Sequence, residues 1–156
     1  MPLEIVLAEL QSQIGTETHV GPWLTITQER INQFAEATGD YQWIHLDVER
    51  AKEQSPLRTT IAHGFLTLSL LPFLMEAGDE DLAKYPGLKM GLNYGLNRVR
   101  FPNPVKVGAN IRARTTLLEV EEVKGNGLQI VDQVTVEIED ESKPGCVAET
   151  VVRLYF

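Results

Sequence analysis

The feature that most constrains the fold is a strongly apolar run between Gly64 and Glu76. Its large apolar side chains point in nearly all directions around a helix, and they are Phe65, Leu66, Leu68, Leu70, Leu71, Phe73, Leu74 and Met75. Such a helix needs burial on most of its sides. Pro72 should kink it or end it early, because the proline ring disturbs the bond to the Leu68 carbonyl. The rest of the chain must therefore wrap around this helix.

The second half of the chain supplies that wrapping, because its apolar residues recur with the period of a β-strand. Segments 92–101, 110–121, 127–139 and 147–156 are predicted as strands, with turn signals between them. Asp132 interrupts the apolar face of the third strand and would need a partner if buried. A buried helix followed by long antiparallel strands predicts an α+β fold with a curved sheet around the helix.

A shorter helix is predicted ahead of this unit, over residues 28–38. Thr27 suits its N-cap, and Gly39 suits the position after its last turn, where a positive φ is needed. Residues 40–45 are then predicted as a loop, and Asp47 as the cap of another short helix. Residues 79–91 also have the composition of a loop. The first loop contains Asp40 and His45, a carboxylate and an imidazole five positions apart.

Composition excludes several other classes of protein. The single cysteine, Cys146, permits no intrachain disulfide, and a reducing cytoplasm is the simplest setting for the chain. The net charge of −8 argues against binding to nucleic acid. The start of the chain lacks the pattern of a signal peptide, and the longest apolar run is too short to span a bilayer. We therefore expect a cytoplasmic protein without a membrane span.

The charge distribution contains one basic segment within this acidic chain. Between Lys84 and Arg114 there are seven basic residues and no acidic ones. Strand alternation places Arg98 and Arg100 on the same side of their strand. The segment has two interpretations at this point: a surface for a phosphate-bearing ligand, or charge balance between solvated strand faces.

Three segments together resemble the MaoC-like dehydratase family, which includes R-specific enoyl-CoA hydratases, and its NodN-like branch in particular. Residues 39–47 read Gly-Asp-Tyr-Gln-Trp-Ile-His-Leu-Asp, and Ala51 follows. Residues 61–66 read Ile-Ala-His-Gly-Phe-Leu, and residues 98–108 match the family's strand–turn–strand. The resemblance covers about residues 20–156. It implies a single MaoC-like hot-dog domain over residues 1–156 that forms a homodimer and takes an acyl-CoA thioester as substrate.

The predicted chemistry is reversible hydration of trans-2-enoyl-CoA, and the resemblance implies the (R)-3-hydroxyacyl product. Asp40 and His45 can hold one water and exchange the two protons, with the order of transfer left open. The Gly64 N–H, at a helix start, is the candidate donor to the thioester oxygen. Neither a metal nor a redox cofactor is expected. The candidate substrate-binding residues are Gln42, Asn93, Asn97, Arg98 and Arg100.

Two departures from the family pattern keep other functions open. Gln42 and Trp43 stand where many hydratases have Asn-Pro, and Pro72 stands where some members carry a supporting serine. The alternatives are a hot-dog thioesterase, a carrier-protein-linked dehydratase and a non-catalytic acyl-thioester-binding subunit. His63 is interpreted as structural and Asp47 as a helix cap. His45 and Asp47 have no third ligand cluster that would make them a metal site.

Overall fold

The computed structural model describes residues 2–78 and 84–156. Its helices are α1 (Pro2–Gln13), α2 (Gln28–Thr38), α3 (Trp43–Leu46), α4 (Val48–Gln54), α5 (Gly64–Ser69) and α6 (Leu71–Leu74). Its strands are β1 (Glu17–Val20), β2 (Leu24–Thr25), β3 (Met90–Arg100), β4 (Asn110–Val123), β5 (Gly127–Ile138) and β6 (Cys146–Tyr155). None of the described helices combines the length and the apolar character needed to cross a membrane.

The strands form one antiparallel sheet in the order β1-β4-β5-β6-β3, and β2 also pairs with β4. All four predicted strands are present. The loop predicted over residues 79–91 is partly wrong, because Met90 and Gly91 already belong to β3. Residues 79–83 of that prediction lie outside the described part of the chain.

One face of the sheet covers the apolar helical run, as the sequence predicts. Leu66, Leu70, Leu71 and Leu74 are buried in a core whose sheet residues include Ile111, Ala113, Val134, Val136 and Ala148. Alternation along the strands directs these sheet residues to the same face. The start of α5 is therefore held against a rigid support.

The long central helix expected from the sequence is instead two short helices that meet at Leu70. The Leu70 N–H still donates to the Leu66 carbonyl at 3.0 Å, but Pro72 has no N–H to continue the ladder. Phe65 and Phe73 are 68% and 60% exposed, so this chain leaves one side of the helical run uncovered. The run is therefore buried on most of its sides, as expected, with these two phenylalanines on the remaining side.

The sequence analysis did not predict helix α1 or strand β1. Leu3, Val6 and Leu10 recur at helical spacing and are all buried. They form a second core with sheet residues that include Leu117 and Leu128. The amino-terminal helix therefore covers the part of the sheet that the central helices do not reach.

Asp132 lies on the inward face of β5, between these two cores. Its neighbours two residues away, Ile130 and Val134, belong to different clusters. Among the described residues, no hydrogen bond or ion pair to its carboxyl group is seen. Burial raises the pKa of Asp132 from 3.8 to about 6. The sequence correctly singled out this residue as one that needs a partner.

We predict that Asp132→Asn stabilises the protein at pH 7.5 by about 2 kcal/mol, after allowance for partial exposure. With its pKa raised, folded Asp132 holds a proton that the unfolded chain releases between pH 3.8 and about 6. Wild-type stability therefore falls as the pH rises through this window, whereas asparagine stays neutral. Urea unfolding at pH 7.5 and pH 4 measures the difference, which should shrink to within about 0.5 kcal/mol at pH 4. An equal difference at both pH values would contradict this explanation.

Candidate active site

His45 lies on α3, a short helix where the sequence predicted a loop, and its side chain is only 6% exposed. Its Nδ1 lies 2.7 Å from the Ile61 carbonyl oxygen. A carbonyl oxygen only accepts, so Nδ1 carries the proton and donates. The other ring nitrogen, Nε2, is therefore the proton acceptor of the neutral imidazole.

Asp40 follows the last turn of α2, where Gly39 takes the predicted left-handed conformation with a φ of 81°. The Asp40 side chain is exposed, and its Oδ1 accepts a hydrogen bond of 3.3 Å from the Gln42 N–H. Gln42 stands at the start of α3, and its own side chain is exposed and makes no capping bond. The backbone N–H of Gln42, rather than its side chain, therefore contacts the Asp40 carboxylate.

His63 is the third member of this cluster, and it is 2% exposed. Its Nε2–H donates to the backbone carbonyl of Asp40 at 3.0 Å. Its ring stacks on that of His45, with centroids 3.9 Å apart and planes inclined by 24°. The Phe34 ring contacts it as well, with centroids 4.9 Å apart. His63 thus contacts both members of the predicted pair.

A carboxylate oxygen of Asp40 and one ring nitrogen each of His45 and His63 lie within 4.8 Å of one another. One water making two hydrogen bonds of about 2.8 Å can bridge such a separation. Two imidazoles and a carboxylate are also metal ligands, so His63 supplies the third ligand that the sequence lacked. However, an ion must lie about 2.1 Å from each nitrogen, along its in-plane lone pair. Stacked rings do not direct their lone pairs to one such point, so this geometry favours acid–base chemistry.

The pKa of His45 is lowered, chiefly because burial disfavours the imidazolium. The hydrogen bond to the Ile61 carbonyl and the charge of Asp40 act in the opposite direction, and the nearby His63 lowers the pKa further. His45 is therefore neutral near pH 7, with Nε2 free to accept a proton.

Gly64 is the first residue of α5, and its N–H makes no hydrogen bond within the described part of the chain. A Cβ added at this position would lie 3.2 Å from the Phe101 ring. The glycine therefore makes room for Phe101, a contact that the sequence analysis did not anticipate. The role of this N–H as a donor to the thioester oxygen stays a prediction.

Backbone hydrogen bonds bring the two motifs together. The Ile61 N–H donates to the Ile44 carbonyl at 3.1 Å, next to the bond between His45 and Ile61. On its other side, this segment bonds to residues 105–107, with Ala62 N–H donating to the Val105 carbonyl at 2.8 Å. Segment 60–62 therefore links α3 to the connection between β3 and β4, and it leads directly into His63, whose ring stacks on His45.

Gln28 fixes the position of α3 through a set of bonds that the sequence analysis missed. Its Nε2 donates to the His45 carbonyl at 2.7 Å and to Asn32 Oδ1 at 2.9 Å. Its Oε1 accepts from the hydroxyl of Thr60, a fully buried residue, at 2.6 Å. One side chain thus joins the first turn of α2 to both motifs.

We expect Gln28→Met to destabilise the protein by about 1–3 kcal/mol, because it leaves the Thr60 hydroxyl and the His45 carbonyl without their partner. Asn32→Ala, which removes only the exposed third bond, should cost less than about 0.5 kcal/mol. Chemical denaturation of both variants measures this. Equal stability of the two variants would show that the contacts of Gln28 do not support α3.

A groove of about 470 Å³ runs between the central helices and the edge of the sheet. Leu68, Leu71, Pro72 and Met75 line one side, and residues of β3 and β6 line the other. Leu68 lies about one turn after Gly64. Asn93, a predicted substrate-binding residue, is part of this lining.

Three other predicted binding residues also lie on β3, but outside this lining. Asn97, Arg98 and Arg100 are exposed, and the structure shows no bond from them to Asp40 or His45 among the described residues. Two further arginines of the basic segment are occupied, because Arg112 and Arg114 both bind Glu137, and Arg114 also binds Glu17. For these two, the charge-balance interpretation of the sequence is correct.

The fold and this cluster define a class: an antiparallel sheet packed against a central helix, with an aspartate and a histidine close to the residue that precedes that helix. Residues 9–140 match the MaoC like domain. The chain is 48% identical over 147 residues to 3-hydroxyacyl-thioester dehydratase Z of Mycobacterium tuberculosis, covering 94% of each chain. It is 44% identical over 153 residues to nodulation protein N of Rhizobium leguminosarum, covering 98% of this chain and 93% of that one.

Among solved structures, the MaoC-like dehydratase from Rhodospirillum rubrum superposes with a TM-score of 0.72 at 21% identity, covering 91% of this chain and 92% of the other. This likeness confirms the α+β hot-dog fold predicted from the sequence. The chain belongs to the MaoC-like domain family. Both the family and its NodN-like branch were correctly predicted from the two motifs.

Proposed function

We propose that this protein catalyses the reversible hydration of trans-2-enoyl-CoA to (R)-3-hydroxyacyl-CoA, with Asp40 and His45 as the acid–base pair. The observation that carries the proposal is their convergence: a carboxylate oxygen and an imidazole nitrogen lie within 4.8 Å of each other beside the start of α5. We further propose that residues 1–156 act as one domain.

In the proposed reaction, one water lies between Asp40 and His45. Its oxygen bonds to the β-carbon as one of the two groups takes its proton, and the double-bond electrons move toward the thioester oxygen. The Gly64 N–H stabilises that oxygen, and the proton taken from the water is then passed through the pair to the α-carbon, which restores both groups to their starting state. The sum is addition of one water, and dehydration follows the same steps in reverse.

The groove beside the central helices is the proposed site of the acyl chain. It begins about one turn beyond Gly64 and is lined mainly by apolar side chains, which suits a hydrocarbon. We propose that Asn93 contacts the chain there, and that Gln42 lies at the entrance beside Asp40. The exposed Arg98 and Arg100, with Asn97, are the proposed contacts for the coenzyme A phosphates.

The curated relatives support this reaction class. One is named as a dehydratase of 3-hydroxyacyl thioesters, which is the reverse of the hydration proposed here. The chain covers 94% of that protein's length, so the comparison extends over nearly the whole of both chains. The R configuration rests on the family resemblance.

The test is incubation of the purified protein with crotonyl-CoA and longer 2-enoyl-CoAs, with loss of enoyl absorbance and release of free thiol followed in parallel. We expect loss of absorbance without thiol. Release of thiol would instead indicate a thioesterase. A higher rate with the same acyl groups on a carrier protein would indicate a carrier-protein-linked dehydratase. Tight binding without turnover would indicate a non-catalytic subunit.

We also propose that the protein is a homodimer whose second copy pairs along β3. This strand is at the edge of the sheet and exposes Met90, Leu92, Tyr94 and Leu96. An apolar edge strand of this length normally pairs with another strand. The exposed Phe65 and Phe73 extend the apolar surface onto the central helices.

Sedimentation velocity should therefore give twice the mass of the chain, and Leu92→Lys should shift the protein to the monomer, because the new charge would be buried against the second copy. Val48→Lys is the control, since Val48 is an exposed apolar residue outside β3. A monomeric wild-type protein would refute this interface.

A further inference from the structure

His63 is the residue on which the three candidate groups converge. It donates to the backbone of Asp40, stacks on His45, and immediately precedes Gly64 in the chain. At 2% exposure and in contact with Phe34, its ring has little freedom to move. The sequence alone favoured a structural role for this residue. The contacts are more specific than packing requires, because each of them reaches a different member of the site.

The hydrogen bonds also determine where the protons lie. The Asp40 carbonyl can only accept, so Nε2 of His63 carries the proton. Nδ1 of His63 is then the unprotonated nitrogen, and it is buried without a partner among the described residues. In His45 the arrangement is reversed, with the proton on Nδ1. The two stacked rings are therefore of opposite tautomer.

We propose that His63 is a positioning residue: its ring sets the orientation of the His45 imidazole, and its N–H holds the backbone of Asp40. The inference rests on the proposed hydratase function of that pair. The two contacts keep the reacting groups at the spacing of one bridging water. Loss of alignment in a catalytic pair typically costs tenfold to a hundredfold or so in rate.

Two variants separate the two contacts. His63→Phe keeps a flat ring against His45 but removes the donor to Asp40, whereas His63→Gln keeps a donor but removes the ring. We expect each to lower kcat by roughly tenfold to a hundredfold with a smaller change in KM. His19→Gln is the matched control, because His19 lies on β1 and pairs with Glu76 instead. It should leave kcat unchanged.

The pH profile distinguishes positioning from simple loss of stability. The groups that act on His45 are His63, which lowers its pKa, and Asp40, which raises it. Removing the His63 imidazole should therefore raise the pKa of His45. The limb of the pH–rate profile that reports the titration of His45 should then move to higher pH. A merely structural role would reduce the active fraction and leave the limb in place.

Nitrogen-labelled histidine NMR provides a readout that needs no activity, because the chain has only three histidines. In the wild type we expect the Nδ1–H tautomer for His45 and the Nε2–H tautomer for His63. In the variants the His45 signals should change while those of His19 stay constant. Wild-type tautomers other than these, or unchanged His45 signals and kcat in both variants, would overturn the proposal. An inactive wild type with the expected NMR result would refute the hydratase function instead.

Discussion

Asp40→Asn and His45→Asn are each expected to lower kcat/KM for enoyl-CoA hydration by about 10²–10⁴-fold. Asparagine at position 40 keeps the shape of the side chain but cannot take a proton. At position 45 it can still donate to the Ile61 carbonyl, as Nδ1 does at 2.7 Å, but it lacks the acceptor nitrogen. Steady-state rates with a short and a long enoyl-CoA measure the effect.

The double variant should be about as slow as the slower single variant, because the two groups act on the same water. If the loss in the double variant equals the product of the two single losses, Asp40 and His45 do not act on the same water. As a control for folding, the variants should unfold at the same denaturant concentration as the wild type. We expect this for Asp40→Asn because Asp40 is exposed. Retention of full activity in both single variants would exclude the pair.

Gly64→Pro is expected to lower kcat/KM by about 10²–10³-fold relative to Gly64→Ala, the loss associated with one oxyanion donor. Both variants introduce a Cβ against the Phe101 ring, at 3.2 Å before relaxation, so their common steric effect cancels. Only proline removes the N–H. Parallel kinetics of the two variants therefore isolate the contribution of the backbone donor.

The backbone at this point accommodates proline. Position 64 is the first of its helix, where proline is well tolerated, and His63 has a ψ of 135°, within the range that a residue before proline adopts. Thermal unfolding of both variants serves as the fold check. Equal kcat/KM for folded Gly64→Pro and Gly64→Ala would show that this N–H is not the oxyanion donor.

Much of the fold could be predicted because its signals are local. The caps of α2 illustrate this: Thr27 accepts from the Arg30 N–H, and Gly39 has the positive φ that only a few residues adopt easily. Strand alternation likewise identified β3 to β6 within a few residues of their ends. These patterns depend on neighbours in the chain, which the sequence displays directly.

The features that the sequence did not reveal depend on distant residues. Gln28 bonds to His45, 17 positions away, and to Thr60, 32 positions away, and no local pattern distinguishes it from any polar residue at a helix start. The stacking of His63 on His45 arises only when α5 and α3 meet. The break at Leu70 was partly predicted. Pro72 indicated that the helix is disturbed, but it did not indicate at which residue the helix breaks.

Helix α1 was missed although Leu3, Val6 and Leu10 have helical spacing. The segment lies before the motifs on which the predicted resemblance rested, and no strong cap marks its start. The candidate site could be predicted as far as the closeness of Asp40 and His45, because both belong to one short segment of the chain. The residues that hold the site in place were not predicted, because long-range contacts determine their roles.

The most direct test of the central claim is mass analysis of the product formed from crotonyl-CoA in water labelled with ¹⁸O. We predict an intact thioester that has gained one labelled water, with the R configuration at the new hydroxyl, and formation of this product at least about a hundredfold more slowly by Asp40→Asn. Unchanged crotonyl-CoA with the wild-type protein, or cleaved thioester carrying the label in a free acid, would contradict the proposed function.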